Sequence, residues 1–112
     1  MEVLKPKRGE VWWVNFDPSL GSEIQKVRPA VVISNNISNK YLDRFQVIPI
    51  TSQIDKIYPG EALINLGKKQ GKVMANQMTT VSILRMDKKL ITVSKRDLLV
   101  VEQAVKLQIG LL

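Results

Sequence analysis

Few side chains in this chain can do chemistry, and they fall into short groups. Glu23 and Arg28 lie close together at the end of a polar stretch. Arg28 precedes Pro29, whose ring forces the arginine backbone into an extended conformation and so fixes where the guanidinium is launched. A planar fork of donors suits a phosphate in bidentate fashion. On spacing alone, a structural ion pair at the base of a loop is the simpler reading. Thr51-Ser52-Gln53 places neutral hydrogen-bonding side chains at the exit of an apolar run. They can hold a phosphate or read a base edge, and they can equally cap a strand end. Asn76-Gln77 offers amides that read base edges or simply end a strand. Trp13 follows Trp12, and neighbouring strand residues face opposite sides. An outward tryptophan can stack on a base, worth roughly 1–3 kcal/mol, although burial in a core or interface is its commoner fate.

Two absences narrow the chemistry. The 112 residues include neither histidine nor cysteine. That excludes Ser-His-Asp triads, histidine-based ribonuclease chemistry, thiolate metal sites and nearly all zinc catalysis. Catalysis here must use Arg, Lys, Glu, Asp, Thr, Ser or Tyr, and the reading calls for no metal or cofactor. Charge narrows the partner. Seventeen basic residues against ten acidic ones give +7. Residues 1–67 are nearly balanced, with eight basic and seven acidic side chains. Residues 68–96 carry Lys68, Lys69, Lys72, Arg85, Lys88, Lys89, Lys95 and Arg96 against Asp87 alone. A clustered positive field attracts polyanions. Nucleic acid is the favoured partner and an acidic protein tail the rival.

The elements that must position these groups are mostly strands. At 45% apolar and 24% charged residues, the chain has a globular composition and the length of one domain, 1–112. No apolar run is long enough to span a membrane, and no secretory leader is evident, so a cytoplasmic protein is expected. Glu10–Phe16 alternates, with Trp12, Val14 and Phe16 on the expected core face. Residues 17–27 form a polar loop. Pro29–Ser34 is almost continuously apolar and predicts a central strand buried on both faces. Asn35–Asn39 reads as a turn. Phe45–Ser52 is a third strand, whose Pro49 is expected at an edge or bulge. A second loop spans 53–60. Glu61–Leu66, a tight turn over Gly67–Gly71, and Lys72–Ala75 predict a hairpin. Thr79–Ile83 and Leu90–Val93 are further strands. Ser94, with Asp97 three positions on, opens a helix over Lys95–Leu111, striped with Leu98, Val101 and Val105. The sum is a mainly β (α+β) chain, a small antiparallel barrel with one C-terminal helix. Side chains fill so small an interior, so a ligand must bind on loops or on the outer face.

Taken together, several of these segments resemble the MazF/PemK family of toxin endoribonucleases. The resemblance rests on Gly9-Glu10-Val11-Trp12-Trp13-Val14-Asn15-Phe16-Asp17-Pro18, Gly21-Ser22-Glu23, Val27-Arg28-Pro29-Ala30-Val31-Val32-Ile33-Ser34 and Ile48-Pro49-Ile50-Thr51-Ser52-Gln53, in that order. It extends to Asn76-Gln77 and the terminal helix. It implies an SH3-like barrel shared with CcdB gyrase poisons, a homodimer, and metal-free cleavage of single-stranded RNA at short sequence motifs. It also implies an antitoxin whose acidic tail lies across the RNA groove. The family's catalytic arginine, threonine and loop glutamate fall on Arg28, Thr51 and Glu23. RNA contacts are implied for Trp13, Asn15, Ser22, Lys26, Ser52, Gln53, Lys56, Asn76 and Gln77, with loops 17–27 and 53–60 as groove walls. Asn15 stands where many relatives carry Asp, and Asn76 where some carry Glu, so no cleavage motif is carried over.

This chemistry is self-consistent without histidine. RNA supplies its own nucleophile, the 2′-OH. The enzyme must accept that proton, stabilise charge on the phosphorane and protonate the departing 5′-oxygen. Arg28 suits the non-bridging oxygens and the leaving group but is too basic to act as a base. Glu23 is the better base by pKa, provided it reaches the 2′-OH. Thr51 can donate to the phosphate. The expected products are a 2′,3′-cyclic phosphate and a 5′-hydroxyl. DNA, lacking the 2′-OH, is expected to bind uncut. Two rivals stand: a CcdB-like, non-catalytic gyrase poison using Gln108–Leu112, and an inactive RNA-binding barrel.

Overall fold

The computed structural model of the chain describes residues 5–112. The strands are β1 (Glu10–Asn15), β2 (Val27–Val32), β3 (Arg44–Thr51), β4 (Glu61–Asn65), β5 (Gln70–Met74), β6 (Thr79–Ser82) and β7 (Met86–Thr92). A short helix α1 (Asn36–Tyr41) precedes β3, and a long helix α2 (Lys95–Gln108) follows β7. The sheet runs β4-β5-β3-β2-β1-β7, with β6 also paired to β3. Every pairing is antiparallel. The path ends at β4 and β7, so the sheet is open and barrel-like rather than a closed barrel. The mainly β class with a C-terminal helix is as expected.

Both faces of the sheet bury apolar side chains. On one, Val11, Val31, Ile48, Ile50, Ile64 and Val73 pack with Val101 and Ala104 of α2. On the other, Val14, Ala30, Val32, Phe45, Val47 and Val81 form a second cluster. This division explains the unbroken apolar run of β2, because Val31 enters one cluster while Ala30 and Val32 enter the other. It also adds a second buried face to the one expected for β1. Val14 and Phe16 are buried and Trp12 packs against them, but Val11, on the opposite face, is fully buried beneath α2.

Other boundaries differ for local reasons. Residues expected as a turn at 35–39 begin α1 instead. Asn35 caps it by accepting from the Ser38 N–H at 2.8 Å, while buried Asn39 bonds the Ser34 hydroxyl and carbonyl. Pro49 is at no edge. The main chain of Gln46 bonds toward β2, so strand alternation turns the Pro49 nitrogen to the other side. There β3 pairs with β6 through residues 44–47 and with β5 through 50–51. The missing N–H falls in the gap between those two partners. β7 begins at Met86, earlier than expected, carried by its pairing to β1 rather than by apolar alternation. Helix α2 starts as expected, with the Ser94 hydroxyl accepting from the Asp97 N–H at 3.0 Å. It stops at Gln108, short of Leu111. Gly110, at φ 80°, closes it with bonds from Gly110 N–H to Leu107 O and from Leu111 N–H to Lys106 O, the pairing of a Schellman cap.

Candidate functional site

The sheet brings Arg28 and Thr51 together. β2 and β3 pair Ala30 with Pro49 and Val31 with Ile48. Arg28 and Thr51 lie two residues beyond the Ala30–Pro49 pair, one on each strand. Both line a cleft of about 220 Å³ with Trp13, Lys26, Ser52, Lys69 and Gln70. Trp13 reaches it because β1 pairs Trp13 with Pro29, beside Arg28. The Arg28 Nε donates to the Gln25 carbonyl at 2.9 Å. That bond orients the guanidinium and leaves its outer nitrogens without a protein partner among the described residues. The Thr51 hydroxyl accepts from the Gln53 N–H at 3.2 Å, so its own proton is free to donate into the cleft.

Glu23 is elsewhere. It lines a separate cleft of about 390 Å³ with Asn76, Gln77, Thr79, Thr80 and Arg85. Its carboxylate accepts from the Leu20 N–H at 2.7 Å, and it forms no ion pair with Arg28. The structural ion pair suggested by spacing is therefore not made. The cause lies in how loop 17–27 is tied down. Gln77 accepts from the Ile24 N–H at 3.3 Å and donates to the Ser22 carbonyl at 3.5 Å. The Asp17 carboxylate accepts from the N–H of Lys26, a residue at φ 68°. Arg85 donates to the Asn15 carbonyl at 3.0 Å and to the Asp17 carbonyl.

The remaining expected contacts divide between side chains tied into the fold and side chains left exposed. Asn15 uses its side-chain oxygen on the Asp17 N–H at 3.0 Å, and Gln77 staples the loop, so both shape the site. Ser22, Lys26, Ser52, Gln53, Lys56 and Asn76 expose their side chains. Lys56 contributes structurally through its carbonyl, which accepts from Lys72 Nζ at 3.0 Å. Nothing local in the sequence marks Arg85 or Gln70 as site residues. Arg85 was one cation in a basic stretch, and its role depends on contacts far away in sequence. Not all of that stretch is free. Lys72 pairs with Glu61 at 3.3 Å and Lys89 with Glu10 at 3.1 Å. Glu10 is partly buried, which opposes its ionisation. Hydrogen bonds from the Trp12 indole, the Lys7 N–H and Lys89 outweigh that burial and hold its carboxyl below the usual glutamate range.

Comparison with known proteins decides the family. The model of the PemK-like, MazF-like toxins of type II toxin-antitoxin systems matches residues 7–109. The chain belongs to this toxin family. It is similar to Endoribonuclease MazF9 of Mycobacterium tuberculosis, at 34% identity over 94% of this chain and 97% of the relative. Endoribonuclease MazF of Staphylococcus saprophyticus is 31% identical over 94% and 92% of the two chains. Among solved structures, MazF of Deinococcus radiodurans superposes with a TM-score of 0.84 at 28% identity, covering 96% of this chain and 99% of that one. A MazE–MazF structure from the same organism gives 0.76 at 26% identity, covering 96% and 98%. The MazF-like relatives are endoribonucleases by name, which weighs against the gyrase-poison alternative.

Proposed function

We propose that this MazF-like chain is an endoribonuclease toxin that cleaves single-stranded RNA at a short sequence motif, with Arg28 and Thr51 acting on the scissile phosphate. The observation that supports this most is that both line one cleft beside Trp13, just beyond the end of the β2–β3 pairing. The 2′-oxygen attacks phosphorus, its proton leaves to a base, and the bond to the 5′-oxygen breaks as that oxygen is protonated. Arg28 offers its free donors to the non-bridging oxygens and a proton to the leaving oxygen. Thr51 donates to the same phosphate. Glu23, in the second cleft, is the carboxylate that takes the 2′-OH proton when the strand lies across both clefts. The products are a 2′,3′-cyclic phosphate and a 5′-hydroxyl.

The toxin acts in the cytoplasm as a homodimer and is held in check by a cognate antitoxin with an acidic tail. That partner suits the free cations around the clefts, and relatives of known structure include a MazE–MazF pair. The test is to treat total RNA with purified protein in chelator and to sequence the cut ends. A recurring short motif with 5′-hydroxyl ends is expected. Intact RNA, or undiminished cutting by an Arg28→Ala protein, overturns the assignment. A parallel gyrase supercoiling assay is expected to show no inhibition.

A further inference from the structure

Part of the basic excess lies outside the Arg28–Thr51 cleft. Ion pairs with Glu61 and Glu10 occupy Lys72 and Lys89. Lys68, Lys69, Lys95 and Arg96 are exposed, and none pairs with a carboxylate among the described residues. Lys69 and Gln70 form one rim of the cleft. Gln70 also lines a hollow of about 300 Å³ on the far side of the β4–β5 turn, together with Ser94 and Arg96. The turn is therefore a ridge, with the cleft on one flank, Arg96 on the other and exposed lysines in between. Lys95 and Arg96 occupy the first turn of α2, where cations oppose the helix macrodipole. Helix stability does not account for them. The nearby carboxylate, Asp97, is buried, accepts from the Asn65 N–H at 2.9 Å and forms an ion pair with neither.

We propose that this ridge is an extension of the RNA site, on which the backbone of nucleotides flanking the cut passes Lys68 and Lys69 and engages Lys95 and Arg96. The ligand is the phosphodiester chain of single-stranded RNA, held by charge and not read by sequence. The inference rests on the nuclease reading of the cleft and adds the path of the strand beyond it. It makes Lys95 and Arg96 determinants of substrate length rather than of cleavage.

The test uses the full-length protein and an RNA spanning the mapped cut site, with a 2′-deoxy sugar at the cut nucleotide to prevent cleavage. Affinity is measured with and without single-stranded flanks, across a salt series. The flanked RNA is expected to bind the parent protein more tightly. In Lys95→Gln/Arg96→Gln that advantage disappears, affinity for the unflanked RNA is retained, and the salt slope for flanked RNA becomes shallower by about 0.7 per lost phosphate contact. Removing cations from the first turn of α2 favours the helix, so the fold is kept, and circular dichroism verifies it. A parent that gains nothing from flanks, or a variant that keeps the gain and the slope, overturns the proposal. A variant that loses polyglutamate binding while keeping the flank advantage also overturns it, in favour of an acidic protein partner. A parent that binds neither RNA overturns the nuclease reading itself.

Discussion

Arg28 shows how local covalent geometry and remote pairing combine at a single residue. Pro29 holds its backbone extended, and the Gln25 carbonyl takes its Nε–H, so the outer face of the guanidinium is what remains for a phosphate. In the proposed role, removing it takes away the preorganised donors where charge develops. We expect Arg28→Ala and Thr51→Ala each to lower the cleavage rate by roughly 10²–10³-fold or more, with unchanged circular dichroism. Arg28→Lys is expected to rescue little, because an ammonium is a point charge and cannot form the bidentate fork. Single-turnover cleavage of a defined RNA measures all three. Glu10 makes a prediction of a different kind. Its carboxyl titrates lower in the folded chain than in the unfolded one, so its stabilising contribution is complete above the ordinary glutamate range. That contribution is lost as pH falls through the lowered value. Thermal melts across an acid series are expected to show this limb in the parent and a flatter one in Glu10→Gln.

Among the elements, the hairpin β4–β5 carries more than its sequence suggests. It forms the cleft rim through Lys69 and Gln70, and it packs closely on β3. A Cβ at Gly71 would stand 2.5 Å from Ile50 Cγ2 and 2.7 Å from Leu66 Cδ1. Ile50 is fully buried and adjoins Thr51. Gly71→Val is therefore expected to cost about 1–3 kcal/mol by overpacking and to reduce cleavage by displacing Thr51. Equilibrium denaturation alongside an activity assay tests both, and a variant of parental stability contradicts the packing. Loop 17–27 makes the complementary case. Its composition marked it as a loop, but its shape is decided by Gln77 and Arg85, dozens of residues away in sequence. No reading of the loop itself could place Glu23 in the second cleft.

For the molecule as a whole, assembly has a physical handle. Several large apolar side chains remain exposed, among them Leu84 at 91% and Ile37 at 76%. Surfaces of this kind mark protein contacts when they are contiguous. With a chain mass of 12.7 kDa, a homodimer is expected to sediment at about twice that mass. A monomeric mass at micromolar concentration would defeat the dimer.

The pattern of apolar residues settled the strand-rich class, the double-sided burial of β2 and the start of α2, because alternation, apolar runs and a serine cap are properties of adjacent residues. The missing histidine and cysteine bounded the chemistry for the same reason, since composition does not depend on folding. The β2–β3 register was not readable from local pattern. It arises from pairing between distant strands, and it brings Arg28 and Thr51 to one cleft. Side-chain contacts across the fold likewise separated Glu23 from Arg28, recruited Arg85 to the loop, and consumed Lys72 and Lys89 in ion pairs. Which charges stay free is a matter of distance in space, and only the assembled sheet supplies it.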